Sequence, residues 1–240
     1  MEKTIAVSVR GIDFELMGYT RSLELCARMN YETENLDFID QMKPGEVFYD
    51  LGACEGRFSI YAAMKGMRVF SFEPEFKNFK VLTENLQLND LTKRVSVYKM
   101  AVGESGKTGL LRIGQPWEGG HQKIVQHEAV REDLNFDFID EESIEIVSLD
   151  DFREENGLPA PNFLKIDIDG SEIPFLRGSA KTLSNSSLKR MIFELDKADR
   201  NFKFIIEKLR ELKFQQGQEY KVPNENFLFN IIFFKVVKDT

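Results

Sequence analysis

The chain of 240 residues has little cysteine, histidine or tryptophan: two, two and one respectively. Cys26 and Cys54 are too few for a disulfide framework and have no metal-ligand spacing. Nowhere does an apolar run reach the ~18 residues that a membrane-crossing helix needs. The opening MEKTIAVSVRGIDF has no uninterrupted apolar stretch behind its charges, so a secretory signal is not expected. Free thiols without an export signal predict a reducing, cytoplasmic setting. Positive charge is also short, with 32 Lys and Arg against 40 Asp and Glu, a net charge of −8. Nucleic-acid binders gather basic side chains to displace counterions from phosphates. Here pairs such as Lys93-Arg94 and Lys189-Arg190 sit among acids, so no nucleic-acid partner is expected. What is present, 42% hydrophobic and 30% charged residues, suffices for one substantial core.

Lys3 to Phe14 alternates apolar and polar residues around Arg10-Gly11, which predicts a hairpin. Leu23, Leu25, Met29, Leu36, Ile39 and Met42 recur at helical spacing until Pro44-Gly45. Residues 1–42 therefore read as an N-terminal hairpin and helix extension, and 43–240 as the main domain. From Val47 the pattern alternates. Strands are expected at Val47–Leu51, Arg68–Phe72, Val95–Val102, Ile144–Leu149, Phe163–Ile168 and Leu188–Leu195, with a short one at Leu110–Ile113. Helices are expected at Arg57–Lys65, Phe76–Leu88, from Asp150, at Glu172–Leu183 and at Arg200–Leu212. Alternation of this kind implies an α/β fold with a mostly parallel sheet and helices on both faces. Two final strands, near Phe214–Tyr220 and Phe227–Val237, are joined by the short turn Pro223-Asn224-Glu225-Asn226, so the last should run antiparallel. Residues 114–142 break the rhythm and hold Trp117, His121, His127 and the acids Asp137 to Glu142. A long irregular segment in a compact domain is more often functional than idle.

The turn Asp50-x-Gly52-x-x-x-Gly56 follows a buried strand and opens a helix. Its glycines let the backbone bend sharply and approach a ligand, in the crevice at the carboxyl ends of parallel strands where ligands bind. The dinucleotide fingerprint G-x-G-x-x-G is absent, and Asp50 stands where its first glycine would be. A carboxylate there would repel a pyrophosphate but suits an ammonium or sulfonium group, and S-adenosylmethionine carries both. Glu73, ending the next strand, can accept hydrogen bonds from both ribose hydroxyls. A nicotinamide dehydrogenase is thereby disfavoured.

VFYDLGACEGRFSIYAAMKG, FSFEPEFKNFKVLTENLQLND and FLKIDIDGSEIPFLRGSAKTL resemble successive motifs of the FkbM family of S-adenosylmethionine-dependent methyltransferases. The resemblance runs from about Glu32 to about Glu194. Its distinctive pieces are Phe72-Glu73-Pro74, Asn85 with Asn89, and Lys165 to Glu172. Cys54 replaces an Asn common in the family, and Asp169 a common Glu. The resemblance implies the Rossmann-like, seven-stranded class I methyltransferase sheet with its antiparallel C-terminal strand. It also implies that Asp50, Gly52 and Gly56, with Ala53 between them, hold the methionine part of the cofactor. Glu73 would take the ribose, and Pro74 with Met100-Ala101-Val102 would flank adenine.

A hydroxyl acceptor needs a base within hydrogen-bond reach. Asp167, at the expected end of a strand on the crevice side, is a candidate for base and for contact with the cofactor amine. Glu194 ends the next strand, and His121 follows Gly119-Gly120, which would let its loop close over a substrate with Trp117 stacked on a sugar. Glu172 reads as a helix first-turn acid and Cys54 as a small passive residue. No metal is expected, because Asp167 and Asp169 should point to opposite sides of a strand. The leading expectation is O-methylation of a sugar, glycan or secondary-metabolite hydroxyl. N- or C-methylation of a small molecule and a catalytically silent S-adenosylmethionine-binding scaffold are the alternatives. The segment before Met42 could cover the active site or mediate a homodimer.

Overall fold

The computed structural model describes residues 3–104, 106–126, 137–223 and 225–236. His127 and Asn224 lie outside them. The chain opens with a hairpin of β1 (Thr4–Val9) and β2 (Ile12–Met17), joined by Arg10-Gly11 with φ of 52° and 78°. Two successive positive φ values match the twist of the flanking strands. The expected helical region after it is broken into α1 (Arg21–Cys26) and α2 (Thr33–Asp40). Met29 and Glu32 adopt left-handed backbone between them, a break that apolar spacing does not reveal.

The central sheet contains β3 (Val47–Leu51), β4 (Arg68–Phe72), β5 (Val95–Tyr98), β10 (Phe163–Ile166), β11 (Arg190–Asp196), β12 (Phe214–Lys221) and β13 (Leu228–Lys235). Their order is β12-β13-β11-β10-β3-β4-β5. The five strands from β11 to β5 are parallel, and β13 runs antiparallel to both β11 and β12. Strand parity divides the core. Phe48, Val69, Phe163 and Ile192 face one layer with α2, α3 (Arg57–Met64), α4 (Phe76–Leu88) and the N-terminal hairpin. Tyr49, Phe70, Leu164 and Phe193 face α5 (Leu149–Glu155), α6 (Glu172–Gly178), α7 (Ala180–Ser184) and α8 (Phe202–Glu211) on the other. The hairpin is also pinned to α4, where Asn85 and Asn89 side chains accept from Met17 N and Glu15 N at 2.7 and 2.9 Å. Among the described residues no helix is long and apolar enough to cross a membrane.

Three further expectations change. The strand expected at 95–102 is two strands: β5 in the central sheet and β6 (Ala101–Gly103) in a second one. That second, four-stranded sheet, order β6-β9-β7-β8, also holds β7 (Lys107–Ile113), β8 (Lys123–Gln126) and β9 (Asp140–Ser148). The segment 114–142 is thus partly a β-hairpin and the start of a strand. The helix expected at 172–183 is interrupted at Ser179.

Candidate active site

The chain builds β3, β4 and β5 to one side of β3, then returns to place β10 and β11 on the other. The strand order therefore reverses between β3 and β10, and ligands in open α/β sheets bind at such a point. The turn after β3 meets the end of β10 there. Gly52 has φ +79°, and a Cβ on it would lie 1.8 Å from Asp167 O. Gly52 N and Ala53 N both donate to Phe72 O at 2.9 and 3.0 Å, while Asp167 N donates to Leu51 O at 3.0 Å. Three strand ends are thus stitched backbone to backbone around one cleft.

The space between the walls of that cleft is about 660 Å³, part of it open to solvent. Gly52, Glu73, Pro74, Ala101, His121 and Asp167 all line it. Phe72, Met100, Val102, Leu111 and Val125 give it an apolar wall, part of which comes from the second sheet. Ala53, Gly56 and Glu194 are not among its lining residues, and neither is Asp50. Gly56 instead starts α3 in left-handed backbone.

Glu73 is buried, and each of its oxygens accepts one backbone N–H, from Cys54 at 2.8 Å and from Glu75 at 3.0 Å. A carboxylate oxygen has a second lone pair, so both can still accept a ligand hydroxyl. Burial pushes its pKa up to about 7, against the opposing pull of Lys123 and the two backbone donors.

Asp50 shares strand parity with Phe48 and points beneath the turn. Its Oδ2 accepts from Ser59 Oγ at 2.6 Å, and its Oδ1 lies 3.4 Å from Lys165 Nζ. Burial raises its pKa, opposed chiefly by Lys165. Lys165 Nζ also donates to Asp167 Oδ2 at 3.0 Å and to Gly52 O at 3.2 Å. Burial alone would lower the Lys165 pKa; Asp167 and Asp50 outweigh it and raise it, so the ammonium stays charged. Residue-level reading left this lysine without a role. The signal was its place inside the buried run Phe163-Leu164-Lys165-Ile166, since a buried lysine is almost always paired.

The expectation that Asp167 and Asp169 face apart fails, because β10 ends at Ile166 and both acids lie in the following turn. Carboxylate oxygens of Asp167, Asp169 and Glu194 all lie within 4.8 Å of one another. Oxygens so grouped could ligate a divalent cation or share a proton. Burial, then Asp167 and Asp169, raise the Glu194 pKa well above the usual range. Glu172 accepts from Gly170 N at 3.0 Å, which fits a helix-start acid. On the opposite wall His121 is exposed, its backbone N–H donating to Gln115 Oε1 at 3.0 Å. Trp117 does not line the cleft; its Nε1 donates to Ser22 Oγ at 2.8 Å.

Comparison with known proteins agrees with this geometry. The methyltransferase FkbM domain matches residues 50–216. A hexuronic acid methyltransferase of Haloferax volcanii, AglP, is 25% identical over 150 residues, covering 61% of this chain and 55% of its own. A methyltransferase of Sordaria araneosa, sdnD, is 25% identical over 192 residues, covering 70% and 74%. The crystal structure of methyltransferase FkbM from Methylobacillus flagellatus superposes with a TM-score of 0.55 at 18% identity, covering 81% of this chain and 44% of that one. The chain thus spans about half the length of the Haloferax and Methylobacillus proteins. A match over most of the chain, on a cleft built by the matching residues, places this protein in the FkbM methyltransferase family, whose cofactor is S-adenosylmethionine.

Proposed function

We propose that the protein is an O-methyltransferase acting on a hydroxyl of a sugar, glycan or secondary metabolite. One observation carries the reading. Glu73, fit to receive two ribose hydroxyls, shares a cleft with Asp167 and His121, either fit to take a hydroxyl proton. S-adenosylmethionine, when bound, supplies an already activated methyl group, so the protein's work is alignment and proton removal. Glu73 anchors the ribose, while Pro74 and Met100 to Val102 offer an apolar slot for adenine. Gly52 lets the turn lie against the end of β10, and these two segments would hold the methionine part. Lys165 fixes one oxygen of Asp167, which sets the orientation in which this carboxylate meets the acceptor proton. Glu194, with a carboxyl oxygen within 4.8 Å of one of Asp167, favours its own protonated form and so leaves Asp167 to accept that proton. His121 is the second candidate base.

The hexuronic acid relative supports a sugar acceptor. The net charge of −8 argues against a nucleic-acid substrate, and the free thiols Cys26 and Cys54 fit the cytoplasm. The test is turnover of methyl-labelled S-adenosylmethionine on panels of neutral sugars, glycosides, other hydroxylated molecules and amines. Methylation of a hydroxyl is expected, with Asp167→Asn lowering kcat by about 10²–10⁴-fold, the usual range for loss of a general base. Methylation of amines alone, or unchanged kcat at every pH in both Asp167→Asn and His121→Ala, would contradict the reading.

A further inference from the structure

Asn78 lies buried in the first turn of α4, and its side chain joins parts of the site that are far apart in sequence. Its amide donates to Gly120 O at 3.1 Å and to Cys54 Sγ at 3.2 Å, and its carbonyl accepts from Gly119 N at 2.8 Å. Its own backbone N–H donates to Glu75 Oε2 at 2.7 Å, and Glu75 N–H donates in turn to Glu73. One residue of α4 therefore bonds the turn after β3 and the loop between β7 and β8 through its side chain, and the Glu75 cap of its own helix through its backbone. No other residue type of this size offers both an acceptor and two donors.

The loop end that Asn78 grips is conformationally exacting. Gly119 has φ +72°, and a Cβ on Gly120 would stand 2.4 Å from Gln115 O and 2.7 Å from Trp117 O, both backbone. His121, the next residue, lines the cleft directly after the gripped peptide. Cys54 lines the same cleft and donates its N–H to Glu73, so a ligand bearing on Glu73 bears on Asn78 through two bonds.

We propose that Asn78 is a positioning residue that registers the β7–β8 loop on the turn after β3, coupling occupancy of the cofactor cleft to the placement of His121. The proposal rests on the reading of the cleft as the S-adenosylmethionine site. A reporter is built in, because Trp117 is the only tryptophan of the chain and sits in this loop.

The experiment follows Trp117 emission and calorimetric binding while S-adenosylhomocysteine is added to the native protein, to Asn78→Ala and to Gly120→Ala. The first variant removes the grip. The second pushes the gripped peptide off the Gln115 and Trp117 carbonyls while keeping the Asn78 side chain and the turn's own residues, so it decides alone if Asn78→Ala does not fold. Ligand should change Trp117 emission in the native protein. Both variants should lose that change while binding about tenfold more weakly, the effect of roughly one net hydrogen bond. Native-like emission change and affinity in the variants would overturn the proposal, as would a native protein that binds without any emission change. A native protein that does not bind at all fails the cofactor reading itself, and the proposal with it.

Discussion

The two walls of the cleft are held together differently. On one side the ends of β3, β4 and β10 are joined by backbone hydrogen bonds and by a buried Asp50–Lys165–Asp167 trio. On the other, the β7–β8 loop is held by side-chain bonds with Thr20, Ser22, Lys77 and Asn78, contributed by α1 with its cap and by α4, outside the second sheet. Contacts of the first kind leave one backbone geometry, and contacts of the second can be exchanged one at a time. Binding of a common cofactor suits the first wall, and selection of an acceptor suits the second, since specificity concentrates on loops.

The sharpest way to break this contrast is Lys165→Met. It leaves Asp50 and Asp167 buried or half-buried without their counter-charge, and breaking a buried ion pair typically costs about 3–5 kcal/mol. Urea unfolding checks it, and a loss below about 1 kcal/mol, the worth of an exposed pair, would show that the rigid wall does not depend on the trio.

Glu73→Gln is next in size. Losing a charged acceptor for two ribose hydroxyls should weaken S-adenosylhomocysteine binding by about 10–100-fold, at roughly 1.5–3 kcal/mol for hydrogen bonds to a charged group. The pH dependence separates this from a packing effect. With a pKa near 7 in the folded protein, above its ordinary 4.5, Glu73 binds more protons folded than unfolded between those values. Its stabilising contribution is therefore full below pH 4.5 and lost as pH rises through 7. Ligand affinity should move oppositely, rising across pH 7 as the carboxylate ionises. Calorimetry and thermal unfolding at pH 6 and 8 should show both slopes in the native protein, and in the Gln variant a flatter affinity slope and a smaller stability slope, because Glu194 still titrates there.

These two residues also show how much the sequence discloses. Glu73 is legible because a strand, a Gly turn and an acid at the next strand end are all local patterns. The parallel core of the sheet was readable for the same reason, since β3, β4 and β10 are short buried apolar runs. The second sheet was not. The string Val95-Ser96-Val97-Tyr98-Lys99-Met100-Ala101-Val102 reads as one strand, yet the chain leaves one sheet and joins another within it, where Ala101 pairs with Ile146. β9 begins with Asp140-Glu141-Glu142, whose strand state comes from pairing with β7 and not from its own pattern. Asp50 is a subtler case. Its presence in the turn was plain, but its direction follows from parity with Phe48, which sets it against Ser59 and Lys165 and away from the cleft surface.

Ser22→Ala should have the smallest effect. The bond it removes from Trp117 lies at the surface, where Trp117 is 42% exposed, so the stability change should stay under about 1 kcal/mol. Trp117 emission should nevertheless shift. A loss as large as that of Lys165→Met would erase the distinction between the two walls.

The central claim, that the cleft between β3 and β10 takes S-adenosylmethionine and no dinucleotide, is tested most directly by thermal unfolding of the native protein with S-adenosylmethionine, S-adenosylhomocysteine and NAD in turn. A ligand that binds only the folded state at about a hundred times its Kd adds roughly 2.7 kcal/mol of stability. The account predicts a rise of several degrees in Tm with both S-adenosyl compounds and none with NAD. A rise with NAD and none with S-adenosylmethionine would contradict it.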